Sequence, residues 1–248
     1  MQKMSCFFVD QKQIDGMELK KLYNEYYITN RHNKKFCDEN WGKRFWLTQS
    51  GIINGLCHGG GRILDVGCNA GNFLYFLEGK WEKHGVEFSD YAAGIAKEKG
   101  LEIYNGYLED AKYSSHFFDV VTLYSVIEHV KYPATLIGEV KRILKTGGLC
   151  VVMTGDRSSL KAILKREDWH MYCPPMHMYF FSHKCLNNFM RKNGFELIKS
   201  IYTDGGMTQT YPNLLNKIVR VVLAMMNKIP ALHRLPIFDH NYSYYRKI

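Results

Sequence analysis

The chain has 248 residues, 46% hydrophobic and 14% aromatic, a size that suits one α/β domain with an elaborated edge and a composition that excludes a disordered chain. The formal net charge of +9 suits an anionic partner, but the basic residues are scattered through the chain; a nucleic-acid partner, which needs a clustered footprint, is therefore disfavoured. The start MQKMSCFFVDQKQID lacks a signal-peptide core, no apolar run approaches the roughly 20 residues that span a bilayer, and none of the seven cysteines forms a C-x-x-C pair, so reduced thiols and a cytoplasmic location are expected.

In chain order, residues 15–30 and 40–57 read as helices, the second with apolar Phe45, Trp46, Ile52, Ile53 and Leu56 before the breaker Gly59-Gly60-Gly61. Residues 1–58 thus form an N-terminal helical segment ahead of a domain over 59–248. There the pattern alternates: strand 62–66, helix 69–79, strand 84–88, helix 89–99, strands 101–105 and 118–124, helix 133–145 and strand 149–154. Such alternation predicts a parallel sheet with helices on both faces. A helix over 182–193 follows, with Ser182 as its N-cap and Gly194 as its stop, then a strand over 195–202. A last strand is expected over 241–247. Between them lies an insertion, 204–239, containing an amphipathic helix over 213–229. Its wide apolar face suits packing, a lid or a partner copy of the chain, while its flanking basic residues also suit contact with a membrane surface.

The run Ile63-Leu64-Asp65-Val66-Gly67-Cys68-Asn69-Ala70-Gly71 is an apolar strand that enters a glycine turn and then a helix. Glycine allows a tight turn and lets the backbone approach a ligand closely. The spacing is G-x-x-x-G, and an acid, Asp65, sits near the strand end, where a pyrophosphate is disfavoured and an ammonium is welcome. Twenty residues beyond Gly67, Glu87 ends the next strand, in position to accept hydrogen bonds from two ribose hydroxyls. Phe88 beside it suits either the core or a stack against a nucleoside base.

The stretches LDVGCNAGNF, GVEFS, FFDVVTLYSVIEHV and LKTGGLCVV, in that order, resemble the class I methyltransferases. They are similar in particular to the small-molecule branch that includes ubiquinone-biosynthesis O-methyltransferases and sugar-tailoring enzymes. The resemblance implies a Rossmann-like α/β fold, a seven-stranded sheet in the order 3-2-1-4-5-7-6 with the last strand antiparallel, and S-adenosylmethionine as cofactor. Carried over by position, Gly67, Asn69 and Gly71 would line the methionyl part, Glu87 the ribose, Tyr107 and Leu108 the adenine edge, and Tyr124 the wall near the sulfonium. Arg44 corresponds to an arginine that reaches the cofactor carboxylate in that branch; a solvated helix charge is the other reading.

In the ubiquinone enzymes an acid three positions before the Glu128-His129 pair completes a divalent-metal set. Ser125 stands there in this chain, so no metal is expected, and His129 is open to a capping or a catalytic role. The segment 169–182 is similar to one that follows the fifth strand in sugar-tailoring members. Its histidines suit a general base, His177 first and His170 second, for an acceptor hydroxyl. The acceptor expected is a small molecule, a sugar, nucleotide-sugar or glycan precursor before a phenolic or quinone-like lipid. A nucleoside-binding protein without turnover is the reading outside the enzymes.

Overall fold

Seven apolar runs pair into one sheet. They form β1 (Gly60–Val66), β2 (Lys80–Glu87), β3 (Glu102–Asn105), β4 (Phe118–Tyr124), β5 (Leu144–Gly155), β6 (Phe195–Thr203) and β7 (His240–Lys247). The computed structural model describes residues 42–203 except 175, residues 239–248, and, before these, Phe7, Phe8, Lys20, Lys21, Asn24, Glu25, Cys37, Asp38 and Asn40. Spatial order in the seven-stranded sheet is β3-β2-β1-β4-β5-β7-β6, as the resemblance implies. Counting the two-residue strand Tyr179–Phe180, which pairs with Phe7–Phe8 outside the sheet, only renumbers the last two strands. β1 to β5 pair in parallel, and β7 runs antiparallel to both β5 and β6. The fold is thus a Rossmann-like α/β sheet with its last strand reversed.

Two apolar layers cover the sheet. One gathers Leu64, Val121, Leu123, Ile137, Val140 and Leu186 beneath helices α4 (Pro133–Ile143) and α6 (His183–Lys192). The other gathers Trp46, Ile53, Phe73, Leu74, Ala93 and Tyr244 beneath α1 (Lys43–Cys57), α2 (Asn72–Phe76) and α3 (Asp90–Glu98). Burial on both faces explains why β1, β4 and β5 are near-continuous apolar runs and do not alternate.

Local chemistry sets the helix ends. Ser89 and Ser182 cap α3 and α6, their hydroxyls accepting from the backbone N–H groups of Ala92 and Cys185. The expected helix over 69–79 is shorter, because Asn69 and Gly71 both have positive φ and helical geometry begins only at Asn72. A short α5 (Leu160–Lys165), capped by Ser159, was not expected from the pattern. The amphipathic helix over 213–229, the helix over 15–30 and nearly all of the insertion 204–239 lie outside the described residues.

Cys185 is disulfide-bonded, so the expectation of reduced thiols fails there; spacing along a chain does not show which cysteines meet. Cys37, Cys57, Cys68, Cys150 and Cys173 are free. Among the described residues no helix is long and apolar enough to cross a membrane.

Candidate active site

β1 and β2 end side by side, which brings the glycine turn against the Glu87 carboxylate. The turn closes through the N–H groups of Gly67 and Cys68, which both donate to the Val86 carbonyl, at 2.8 and 3.0 Å. Gly67 and Gly71 have φ of +68° and +72°. A Cβ on Gly67 would meet Val126 Cγ2 at 2.6 Å, and one on Gly71 would strike Leu101 Cδ1. Only glycine fits either place without strain.

Glu87 is buried, and each carboxylate oxygen accepts one backbone N–H at 2.8 Å, from Asn69 and from Ser89. Burial raises its pKa, and those backbone donors oppose the rise. A carboxylate has about four lone-pair directions, more than these donors use, so it can also accept from a ribose diol. Next to it the Phe88 and Tyr107 rings lie 4.5 Å apart at 34°, and Tyr107 is exposed. Leu108 is buried in the core; its side chain is therefore unavailable to an adenine edge, which leaves only its backbone for that role.

Asp65 is buried, accepts a 2.6 Å hydrogen bond from Thr122 Oγ1, and is pushed up to about 7 by burial. Tyr124 packs between Trp46 and Phe73, and its buried hydroxyl has no hydrogen-bond partner among the described residues. A buried acid, an unpartnered hydroxyl and a turn with no room for a Cβ make a cradle that fits the amino-acid end of S-adenosylmethionine. Arg44 is not brought to it. α1 buries Trp46, Gln49, Ser50 and Ile53, and Arg44 falls on the opposite, exposed face.

Residues from the N-terminal segment meet this edge. Asn24 Oδ1 accepts from Ser89 Oγ at 2.7 Å, the Asp38 carbonyl accepts from Asn72 Nδ2 at 2.9 Å, and Lys20 pairs with Asp90 at 2.7 Å.

At the carboxyl end of β4 the chain turns through Ser125, which has φ +53°. Its hydroxyl donates to Met153 Sδ at 3.4 Å, so the metal set implied by the resemblance lacks its third acid and does not fit here. Glu128 follows, almost fully buried and pushed up to about 7 by burial. Thr154 lies beside it, yet among the described residues neither carboxylate oxygen makes a hydrogen bond of ordinary geometry. The Glu128 carbonyl accepts from the N–H groups of Met178 and Tyr179, which holds the 169–182 segment against β4. The His129 and His177 rings consequently sit edge to face with centroids 4.5 Å apart. His129 Nδ1 is 2.9 Å from the Met176 carbonyl and His177 Nδ1 is 2.6 Å from that of Met171. A carbonyl only accepts, so each Nδ1 carries a proton. Burial lowers both rings, His129 to about 3, and both are neutral at pH 7.

A second cluster surrounds Asp239 at the start of β7, which sequence reasoning missed. The Asp239 carboxylate takes Trp169 Nε1 and Lys161 Nζ at 3.0 Å, His240 Nδ1 at 3.1 Å and His170 Nδ1 at 3.4 Å. These donors hold its carboxyl well below the usual range against the effect of burial. His170 itself is exposed, and its pKa is lowered to about 4, mainly by desolvation. The other missed residue, Thr122, did have a signal: it is the one hydroxyl in the apolar run Val120–Leu123.

A family described as a methyltransferase domain matches residues 31–200. A ubiquinone biosynthesis O-methyltransferase of Nitrosococcus oceani is 30% identical over 168 residues, covering 59% of this chain and 68% of that protein. One of Azoarcus sp. is 30% identical over 175 residues, covering 64% and 75%. Among solved structures, a methyltransferase of Thermotoga maritima described as dependent on S-adenosylmethionine, possibly a histamine N-methyltransferase, superposes with a TM-score of 0.60 at 22% identity. It covers 93% of this chain and 98% of its own.

Proposed function

Because the chain belongs to the methyltransferase-domain family and is an S-adenosylmethionine-dependent methyltransferase, we propose that it methylates a hydroxyl of a small molecule. A sugar, nucleotide-sugar or glycan precursor is the acceptor class we put first. The observation that carries the hydroxyl reading is His177: its Nδ1–H is held by the Met171 carbonyl at 2.6 Å, which leaves Nε2 as a neutral lone pair at the carboxyl end of β4. In open α/β sheets that end is where ligands bind.

Bound S-adenosylmethionine supplies an electrophilic methyl group on a sulfonium. Asp65 offers its carboxylate to the amino-acid ammonium, Glu87 accepts from the ribose hydroxyls, and Phe88 and Tyr107 flank the base. Alignment of acceptor and methyl accounts for most of the rate. As the oxygen–methyl bond forms and the sulfur–methyl bond breaks, the hydroxyl proton passes to His177 Nε2. His170, oriented by Asp239, is the second candidate for that proton, and His129 is the neighbour that fixes the His177 ring.

A second reading, a phenolic or quinone-like acceptor, is favoured by the relatives of Nitrosococcus oceani and Azoarcus, which are ubiquinone biosynthesis O-methyltransferases. Contact of residues 213–229 with a membrane surface would belong to that reading, and a homo-oligomer is compatible with either. Labelled methyl offered with sugar, nucleotide-sugar and phenolic acceptors separates the two. His177→Ala is expected to abolish transfer while S-adenosylhomocysteine affinity stays within about two-fold, since the residue lies outside the cofactor edge. A fully active variant would remove His177 from the reaction.

A further inference from the structure

We propose that Asp239 is a positioning residue for His177: through Trp169 and the Met171 carbonyl it fixes which ring nitrogen of His177 carries the proton. As the base, His177 rests on the hydroxyl reading above; its tautomer does not depend on any acceptor.

The contacts run from one residue to the other without a gap. Asp239 Oδ2 accepts from Trp169 Nε1 at 3.0 Å. The Trp169 carbonyl accepts from the Tyr172 N–H at 2.7 Å, which closes residues 169–172 into a turn. That turn presents the Met171 carbonyl, which accepts from His177 Nδ1 at 2.6 Å. The His177 N–H donates to the Cys173 carbonyl at 3.1 Å, so residue 177 is tied back by its backbone as well as by its ring.

Packing and charge give the turn one seat. Trp169 and Met171 are buried with Ala162 and Phe180 in a small apolar cluster. Both lie on Gly155 at the end of β5, where an added Cβ would come within 3.0 Å of each. Apolar contact by itself leaves the indole free to slide, whereas a bond from its N–H to a carboxylate has a direction. Asp239 is suited to hold it. The residue is fully buried, and its carbonyl accepts from the Asp156 N–H at 2.7 Å. Lys161 and His240 meet its carboxylate at 3.0 and 3.1 Å, and the Lys161 ammonium compensates the buried charge.

The tautomer decides what the ring can do. With its Nδ1–H on the Met171 carbonyl, His177 keeps a lone pair on Nε2 that receives the hydroxyl proton; with the proton on Nε2 it cannot. Asp239 thus acts on the reaction without touching the reacting atoms.

The test is long-range 1H–15N NMR of the histidine-labelled full chain with S-adenosylhomocysteine and no acceptor, at neutral pH, where the ring is uncharged. Loss of the signals in His177→Ala assigns the ring. The parent should show the Nδ1–H form. Trp169→Phe, which keeps an aromatic ring in the cluster and removes the indole N–H, should lower the ratio of Nδ1–H to Nε2–H about five-fold, the worth of one hydrogen bond. Asp239→Ala should do the same, and Asp239→Asn, which retains an acceptor oxygen for Trp169, should restore the parent's ratio. Gly71→Ala strains the fold elsewhere and should leave the ratio unchanged. An Nε2–H ring in the parent would overturn the proposal. So would a parent-like ratio in Trp169→Phe, whether or not Asp239→Ala folds, or an equal shift in Gly71→Ala, which would make the ratio a mere reporter of stability. The base reading fails separately, through methyl transfer that persists in His177→Ala.

Discussion

A carboxylate that is buried for binding has a pH signature. Asp65 sits at about 7 in the ligand-free chain because burial disfavours its charged form. Raised above its ordinary value, it contributes stability below about pH 4 that is lost as pH climbs towards 7. The ligand-free melting temperature should therefore fall over that window on account of Asp65, and fall less in Asp65→Asn. Ligand binding should show the opposite slope. S-adenosylhomocysteine affinity is expected to rise from about pH 6 to about pH 8 as the carboxylate ionises, and calorimetry on Asp65→Asn should give a flatter, weaker profile. Glu87→Ala removes the acceptor of the Asn69 and Ser89 N–H groups together with the proposed ribose ligand. Affinity should drop by more than ten-fold with a measurable loss of stability, since charge-assisted bonds contribute about 1.5–3 kcal/mol each; an unchanged dissociation constant would sink the ribose assignment. These acids were legible in the sequence because a strand end and the turn behind it lie within a few residues of one another. The meeting of Glu128 with His177 was not legible. It depends on the Met178 and Tyr179 N–H groups reaching the Glu128 carbonyl, a contact between distant segments with no local pattern.

At the level of elements, strand and helix order followed from alternating apolar runs, and errors gathered where one residue's backbone overrules the pattern. The helix expected from residue 69 begins at Asn72 because the cradle needs left-handed backbone at Asn69 and Gly71. β2 starts at Lys80, four residues before the expected strand, as the Gly60–Lys80 pairing extends it. α5 escaped notice because it is six residues long and exposes Leu160, Ile163 and Leu164, so it lacks the buried stripe that marks a helix. Of the two readings open for Arg44, its exposed face on α1 favours the solvated helix charge; family position gives the helix but not the face. The turn supports a sharp expectation of its own. Gly71→Ala combines an unfavourable φ with a clash against Leu101 and Ala96, and should cost about 1–3 kcal/mol by chemical denaturation. A neutral effect would mean that α2 shifts freely on β1.

For the whole molecule, the cofactor edge is completed by residues far away in sequence. Asn24 holds Ser89, and Asp38 holds Asn72, so the N-terminal segment abuts both the second-strand acid and the glycine turn. Asn24→Ala should lower S-adenosylhomocysteine affinity about five-fold, near 1 kcal/mol, through loss of that support; an affinity equal to the parent's would detach the segment from cofactor binding. The sheet order carries a further consequence for how the protein comes to exist. β7, made after the other six strands of the sheet, fills the slot between β5 and β6, and its Tyr242, Tyr244 and Tyr245 are almost wholly buried there. On the ribosome, β5 therefore waits with a bare, strongly apolar edge until residue 247 has emerged. Such an edge is a template for pairing with other chains, and it closes only by joining segments far apart in sequence, a slow class of event. Nascent chains of this protein would thus spend their synthesis time exposed to misassembly, and slow translation through the stretch between β6 and β7 would lengthen that exposure.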